Sequence, residues 1–471
     1  MADNSQARVI AHLSRGAAKR FETHVSIVFL TGERALKLKK AVKFPYLDYS
    51  TIEKRKFFCE REVELNRRTA PELYLGAEPV TINGTIEDWV VVMRQFDNET
   101  LFDKLDITPA IARDLADRIA AFHDVAAVTP GFGGAQEMAR IVEANARDQR
   151  NAGLDAGEIE SLRNASHAAL EKCAAVLDAR RARGCVRFCH GDLHLRNICL
   201  WDGEPTLFDG IEFDDRIASI DVLYDLAFLL MDLEHRGRRD IANRILNRYL
   251  ARRDEIAGLA CLPLFLACRA GIRAHTNMDK SYLDLAVALL GSPPPRLIAI
   301  GGLSGTGKST LAAALAPQLG GAPGAVVLRS DVIRKRLCGA EPEARLGPEG
   351  YKPEVTRRVY ETIRTSAAAA LGAGRCVIAD AVHARPDERD GIEAVARAAG
   401  VPFLGLWLEA RPEALASRVR GRENDASDAT VEVVREQLSY DTGPIAWRRL
   451  DASQDLAATL ARAHKLLVGQ G

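Results

Sequence analysis

The chain has 471 residues, 64 of them basic and 64 acidic, and 47% are hydrophobic. Balanced charge removes the basic footprint expected of a nucleic-acid binder, and at roughly 100 to 200 residues per domain the length predicts two or three folding units. No basic segment leads into an apolar run near Met1–Gln6, so neither a secretory signal nor a membrane anchor is expected. The longest apolar stretch, Ile256–Cys268, contains Pro263 and reads as too short to span a bilayer. Nine cysteines without CxxC pairs read as free thiols of a cytoplasmic protein.

Val25–Leu30 and Ala35–Lys39 are rich in β-formers and flank Thr31-Gly32-Glu33-Arg34, which predicts two strands and a turn. Within the second, Ala35-Leu36-Lys37 places an ammonium on one strand face. Ser50-Thr51-Ile52-Glu53 reads as a capping box that opens a helix running to Arg67. On that helix Phe58, Glu62 and Leu65 share one stripe. Glu62 is then either at the solvated edge of the stripe or buried against a cation, because a buried unpaired carboxylate is strongly disfavoured. Lys37 is the natural partner, and Glu60 and Lys39 are the near competitors for the pair. Trp89–Met93 reads as a further strand. Thr108-Pro109 is a cap and first-turn pair for a helix bearing Ile111, Leu115, Ile119 and Phe122, and Ala135–Arg183 reads as more helices with solvated charges.

His190-Gly191-Asp192-Leu193-His194-Leu195-Arg196-Asn197-Ile198 follows, and then strand-like Leu207-Phe208 ending in Asp209. An Asp and an Asn five residues apart on a tight loop, with an Asp ending a nearby strand, supply a proton acceptor and two oxygen ligands of the kind Mg2+ prefers. A zinc cluster of Cys185, Cys189, His190, His194 and Cys199 is the rival reading, but those spacings match none of the usual ligand pairs.

Residues from about Val25 to Ile272 resemble the aminoglycoside phosphotransferase family, a relative of the protein kinases. The resemblance is carried by Ala35-Leu36-Lys37, the Glu62 helix, the His190–Ile198 run, Asp209, Asp221 and Asp225. It implies an α+β, two-lobed kinase-like domain with residues 1–96 as the N-lobe and 97–290 as the helical C-lobe. By the same resemblance Lys37 holds the nucleotide phosphates and Glu62 orients it. Asp192 is the catalytic base, Asn197 and Asp209 bind Mg2+, and His190, Asp221 and Asp225 are supports. Two departures stand out. Glu22-Thr23-His24 occupies the place of a glycine-rich loop, and Phe208-Asp209-Gly210-Ile211-Glu212 leaves the role of Glu212 open.

Gly291-Ser292-Pro293-Pro294-Pro295 marks a linker over residues 291–296. Beyond it, Leu297–Ile300 reads as a buried strand. The next residues, Gly302-Leu303-Ser304-Gly305-Thr306-Gly307-Lys308-Ser309 followed by Thr310, fit GxxxxGK[ST] at every fixed position. Such a loop turns backbone N–H groups toward a phosphate at a helix N-terminus, with Lys308 reaching the outer phosphates and Ser309 holding Mg2+. Strands and helices then alternate through Val326–Leu328, Pro353, Cys376–Ala379, Pro386 and Phe403–Leu408. That rhythm predicts an α/β P-loop domain with a parallel sheet over residues 297–471, with Asp331 and Asp380 at strand ends.

The run Arg329–Leu337 resembles P-loop kinases such as gluconate kinases, chloramphenicol phosphotransferases, zeta toxins and polynucleotide kinases, and the resemblance spans about Leu297 to Asp451. It implies that Asp331 activates an acceptor hydroxyl and that Arg334 contacts substrate. Asp331 also suits a helix N-cap. Arg418, Arg420 and Arg422 read as a lid over phosphates or as a solvated basic face.

The whole reads as a tandem phosphotransferase using ATP and Mg2+ on small hydroxyl-bearing molecules, with neither nucleic acid nor membrane as partner. The alternative is a P-loop kinase regulated by a nucleotide-sensing, non-catalytic first half. A mechanical ATPase fits less well, because Asp380 is followed by Ala381 and not by Glu.

Overall fold

The computed structural model describes residues 4–44, 46–420 and 426–468. They form two compact units, one of residues 1–138 and 177–232 and the other of residues 139–176 and 233–471.

The first unit opens with α1 (Asn4–Arg15), followed by β1 (Lys19–Glu22), β2 (Ser26–Leu30) and β3 (Arg34–Lys39). A small hairpin of β4 (Lys43–Phe44) and β5 (Leu47–Asp48) leads to α2 (Ile52–Asn66), then β6 (Tyr74–Ile82) and β7 (Thr85–Arg94). The five longer strands make an antiparallel sheet in the order β1-β2-β3-β7-β6. Alternation along β7 divides its side chains between two layers. Val91 and Met93 pack with Cys59 and Val63 of α2, while Val90 and Val92 pack with Val9 and Leu13 of α1. The predicted turn is present, with Thr31 N donating to Arg34 O at 2.8 Å. The helix cap lies one residue later than the capping box suggested: Thr51 accepts from Lys54 N, and Ser50 instead bonds Asp48.

Next comes α3 (Pro109–Val125), capped by Thr108 as expected, then α4 (Gly134–Asn151) and α5 (Ala156–Ala182), both of which lie mostly in the second unit. After β8 (Val186–Phe188), a single 3-10 turn at Leu195–Asn197 leads into the hairpin β9 (Ile198–Trp201) and β10 (Glu204–Leu207). Then come α6 (Asp215–Ala218), β11 (Ser219–Asp221) and α7 (Val222–His235).

The second unit holds α8 (Arg239–Arg252), α9 (Leu262–Asn277) and α10 (Lys280–Leu290) together with the whole P-loop region. The sequence places a linker at residues 291–296, whereas packing groups the helices from residue 233 onward with the P-loop region itself. A 3-10 turn joins α9 so that Ile256–Asn277 runs 22 residues, long and apolar enough to cross a membrane; this corrects the expectation that the stretch is too short. Of its most apolar window, 72% is buried inside the structure.

The P-loop region contains β12 (Leu297–Gly301), α11 (Lys308–Leu315), β13 (Val326–Arg329), α12 (Ser330–Leu337), α13 (Pro353–Gly372) and β14 (Val377–Asp380). It continues with α14 (Pro386–Ala399), β15 (Phe403–Glu409), α15 (Pro412–Arg420), α16 (Val431–Leu438), β16 (Arg448–Asp451) and α17 (Leu456–Val468). Its five strands are all parallel, in the order β13-β14-β12-β15-β16. β12 is buried along its whole length, as a central parallel strand covered on both faces should be.

The outer edge of β13 is closed by α8. Asn247 accepts from Val327 N at 2.7 Å, and Asn243 and Asn247 both donate to Ala325 O at 3.1 Å. These side chains satisfy ladder groups that an open edge strand would leave unpaired.

Candidate functional site

In the first unit, Lys37 and Lys39 sit two residues apart on β3 and therefore project from the same face, toward α2. Both reach Glu62. Lys37 Nζ lies 2.9 Å from Oε1 and Lys39 Nζ 2.6 Å from Oε2. Glu62 is fully buried, not at a solvated edge. Burial alone would push its carboxyl up, but the two ammonium groups outweigh that and hold it down at about 2. Glu60, the competing carboxylate, is instead paired with Lys56.

Lys37 also lies 2.5 Å from Asp209 Oδ1. Burial disfavours the lysine charge, yet Asp209 and Glu62 keep its pKa well above the ordinary value. Lys39 continues to Glu212 in a close ion pair, and Tyr49 Oη donates to Glu212 at 2.6 Å. The Lys39–Glu212–Tyr49 group was not resolved from sequence. The lysine alternation on one strand was its visible sign; Tyr49, just before the Thr51 cap, gave none.

The hairpin of β9 and β10 brings Asn197 and Asp209 to the same end. Leu207 pairs with Ile198, and Phe208 N donates to Asn197 O at 3.0 Å, so Asn197 stands opposite the residue before Asp209. Asn197 Nδ2 donates to the Asp192 carboxylate at 3.0 Å, and His194 Nε2 lies 3.3 Å from it. The Asp192 and Asp209 side chains remain 37% and 42% exposed, unlike the supports behind them. Buried Asn197 and half-exposed Asp209 each offer an oxygen of the kind a hard divalent cation takes.

His190 Nε2 is 2.9 Å from the Phe208 carbonyl, which can only accept, so this nitrogen carries the proton. Burial lowers the His190 pKa despite Asp225 and Asp192, leaving a neutral ring whose Nδ1 accepts from Asp192 N. Asp225 accepts from His190 N and Gly191 N and pairs with His123 at 3.0 Å. Asp221 grips buried Arg180 and bonds Leu223 N at the start of α7. Cys189 lies near His123 and Asp225, whereas the other proposed zinc ligands are not part of that cluster.

In the second unit the loop from Gly302 to Gly307 connects β12 to α11. Gly302, Gly305 and Gly307 have φ of +132°, +87° and +89°, a region that side chains rarely adopt. A Cβ on Gly302 would also meet Leu408 O at 2.5 Å. Ser304, Gly305, Gly307, Lys308, Ser309 and Thr310 line one cavity of about 950 Å3, which also contains Asp331, Arg334, Asp380 and Arg418. Gly302 and Thr306 do not line it. Gly302 N donates to Val382 O, and the Thr306 hydroxyl bonds Leu303 O at 2.8 Å, so both shape the loop from behind.

Asp331 is the second residue of α12, whose N-cap is Arg329, so the N-cap reading is corrected. Burial and the Asp380 charge raise its pKa, against the pull of Arg329 and Lys308. Arg334 lines the cavity, but its Nη1 is held by Gly350 O at 2.8 Å and Thr356 Oγ1 at 3.1 Å. Arg418 donates to Ala452 O at 2.8 Å and lies 3.5 Å from Gly305 O, at the phosphate-loop wall. Arg420 turns back on Ala416 O of its own helix, and Arg422 lies outside the described residues. Gln437 of α16, without any sequence signal, accepts from Ser304 N at 2.7 Å.

Comparison with known proteins assigns the two parts separately. The phosphotransferase enzyme family matches residues 52–260, and an AAA domain family matches residues 297–444. The matches correspond to a kinase-like domain followed by a P-loop kinase fold, as the sequence motifs indicate. Uncharacterized proteins of Mycobacterium bovis and Mycobacterium tuberculosis are 31% identical over 481 residues, covering 94% of this chain and 94% of theirs. Among solved structures, a gluconokinase from Sinorhizobium meliloti 1021 is 22% identical over 38% of this chain and 98% of its own, with a TM-score of 0.26. A choline/ethanolamine kinase family protein from Mesorhizobium loti is 16% identical over 61% of this chain and 92% of its own, with a TM-score of 0.38.

Proposed function

The chain belongs to one family with the mycobacterial proteins that align along 94% of it, and from that premise we propose a bifunctional phosphotransferase with two ATP- and Mg2+-dependent sites. Each acts on a hydroxyl group of a small molecule. The observation that supports the reading is the cavity that Gly305, Gly307, Lys308 and Ser309 line together with Asp331, the residues read as phosphate-binding loop and proton acceptor.

In the second unit, backbone N–H groups of the loop and Lys308 bind phosphate oxygens, and Asp331 takes the acceptor's proton. The acceptor oxygen forms a bond to the γ-phosphorus as the bond to the β-phosphate oxygen breaks. In the first unit Lys37, oriented by Glu62, binds phosphate, and Asp192, aligned by Asn197 and His194, takes the proton. Mg2+ would be held by Asn197 and Asp209 in one site and by Ser309 in the other, and its chemistry is neutralisation of phosphate charge. No disulfide joins the nine cysteines, which fits a reducing, cytoplasmic compartment.

One observation favours a second reading, in which the first half senses nucleotide without transferring phosphate. Between β1 and β2 a tight turn closes on Thr23, whose N–H donates to Ser26 O at 2.9 Å and whose hydroxyl accepts from Ser26 N at 3.0 Å. Such a turn offers no glycine-rich cover for phosphates. The two readings separate in the full chain with Lys308→Ala, where ATP and Mg2+ are supplied with pools of hydroxylated metabolites and new phosphoesters are followed by mass. Transfer that vanishes on adding Asp192→Ala supports the bifunctional reading. Nucleotide binding without any transfer supports the sensor.

A further inference from the structure

Lys39 is 1% exposed and lies behind Lys37, away from the rim where Asp192 and Asp209 open to solvent. A buried ammonium is tolerated only when paired and hydrogen-bonded, and Lys39 has three such partners in Glu62, Glu212 and Tyr49. Two of these stand on different pieces of the site. Glu62 belongs to α2, and Glu212 belongs to the segment that begins with Asp209.

That segment needs holding. Asp209 has a φ of +60°, a left-handed conformation that Asp tolerates better than most residues but that is still uncommon. Its N–H donates to Tyr74 Oη at 3.0 Å. Asn66, the last residue of α2, clamps Gly210 by accepting from its N–H at 2.7 Å and donating to its carbonyl at 3.3 Å. Ile211 N donates to His190 O at 2.9 Å. Lys39 and Tyr49 close the far end of the segment at Glu212.

Resting on the reading of this half as a nucleotide site, we propose that Lys39 is a second positioning lysine. It fixes the Asp209–Glu212 segment to β3 through Glu212, and it keeps Glu62 neutralised when Lys37 turns to nucleotide phosphates. Glu62 has two cations, Lys37 and Lys39. The carboxylate is therefore not stranded when one of them is recruited, and α2 stays docked through the cycle. Glu212, whose role the sequence left open, is the anchor that aims Asp209.

The test uses the full chain with Lys308→Ala, so that only the first site reports, and a fluorescent ribose-labelled ATP analogue titrated with Mg2+. Lys39→Met and Glu212→Gln are each expected to raise the Mg2+ concentration at half-saturation by roughly tenfold, the size typical of losing a group that orients a metal-binding residue. Their double variant should fall well short of the product of the two effects. Melting without ligand shows whether each variant is folded. If Lys39→Met is not, Glu212→Gln and Tyr49→Phe carry the test by the same shift. Unchanged Mg2+ dependence in the folded variants overturns the role of Lys39 while leaving the nucleotide site standing. Absence of Mg2+-dependent binding by the Lys308→Ala protein itself removes the nucleotide site and this inference with it.

Discussion

Asp331 answers to opposing demands. Its half-buried carboxyl is desolvated and lies near Asp380, so its pKa is raised. A carboxyl more easily protonated in the folded than in the unfolded state weakens folding once pH climbs past its unfolded pKa, and the penalty is complete above the folded one. Asp331→Asn is therefore expected to melt higher than wild type at pH 8, with the gap narrowing as pH falls, while phosphoryl transfer by the second site drops by about 10² to 10⁴. Thermal melts at several pH values together with kcat measure both. The pH profile of that site should also lose its acid limb at a higher pH than a solvent carboxyl would give. Asp331 itself is legible from its place after a strand; the raised pKa is not, because it comes first from desolvation in the folded chain and then from Asp380, forty-nine residues later in sequence but one strand over in the sheet.

The elements divide by what their signals record. Strands β2 and β3, helices α2 and α3, and the parallel sheet were readable because alternation, caps and the βαβ rhythm are local properties. The loop of Gly302 to Gly307 was readable for the same reason: its φ values demand glycine at fixed places. Gly305→Ala would put a Cβ 2.8 Å from Leu415 O at positive φ. It should cost about 1–3 kcal/mol of stability and abolish nucleotide binding by the second site, checked by melting and by analogue fluorescence in a chain with Lys37→Met. The clamp of Asn66 on Gly210 left no trace in sequence, because a helix-terminal Asn reads as an ordinary polar ending. Asn66→Ala strips partners from two buried backbone groups and should lower stability by about 1–3 kcal/mol per group left unpaired, measured by denaturant unfolding. Glu62 was singled out correctly as a carboxylate in need of a cation, but local pattern could not show that it takes two.

At the level of the whole molecule, the two family matches cover residues 52–260 and 297–444, and the proline run at residues 293–295 lies between them. Packing follows a different line, since α8 belongs with the parallel sheet. The tie extends past β13. Arg248 pairs with Glu343 at 2.6 Å, and Arg252 pairs with Glu341, both in the stretch that leads to the cavity residues Leu346 and Tyr351. Asn247→Ala leaves Val327 N without its acceptor and is expected to cost about 1–3 kcal/mol, seen as a lower midpoint for unfolding of the second unit. No periodicity in α8 announces this, because an asparagine that meets a distant strand looks like any solvated one.

Those asparagines govern what can be learned by cutting the protein apart. A truncation starting at the prolines would release β13 with bare N–H and C=O groups along its rim, an adhesive border that recruits other chains. Such a piece would be prone to precipitate whatever its chemistry, and its silence in an assay would speak of a missing neighbour, not of a missing activity. Pieces begun before α8 keep the border sealed, so only their behaviour can report on the reaction itself.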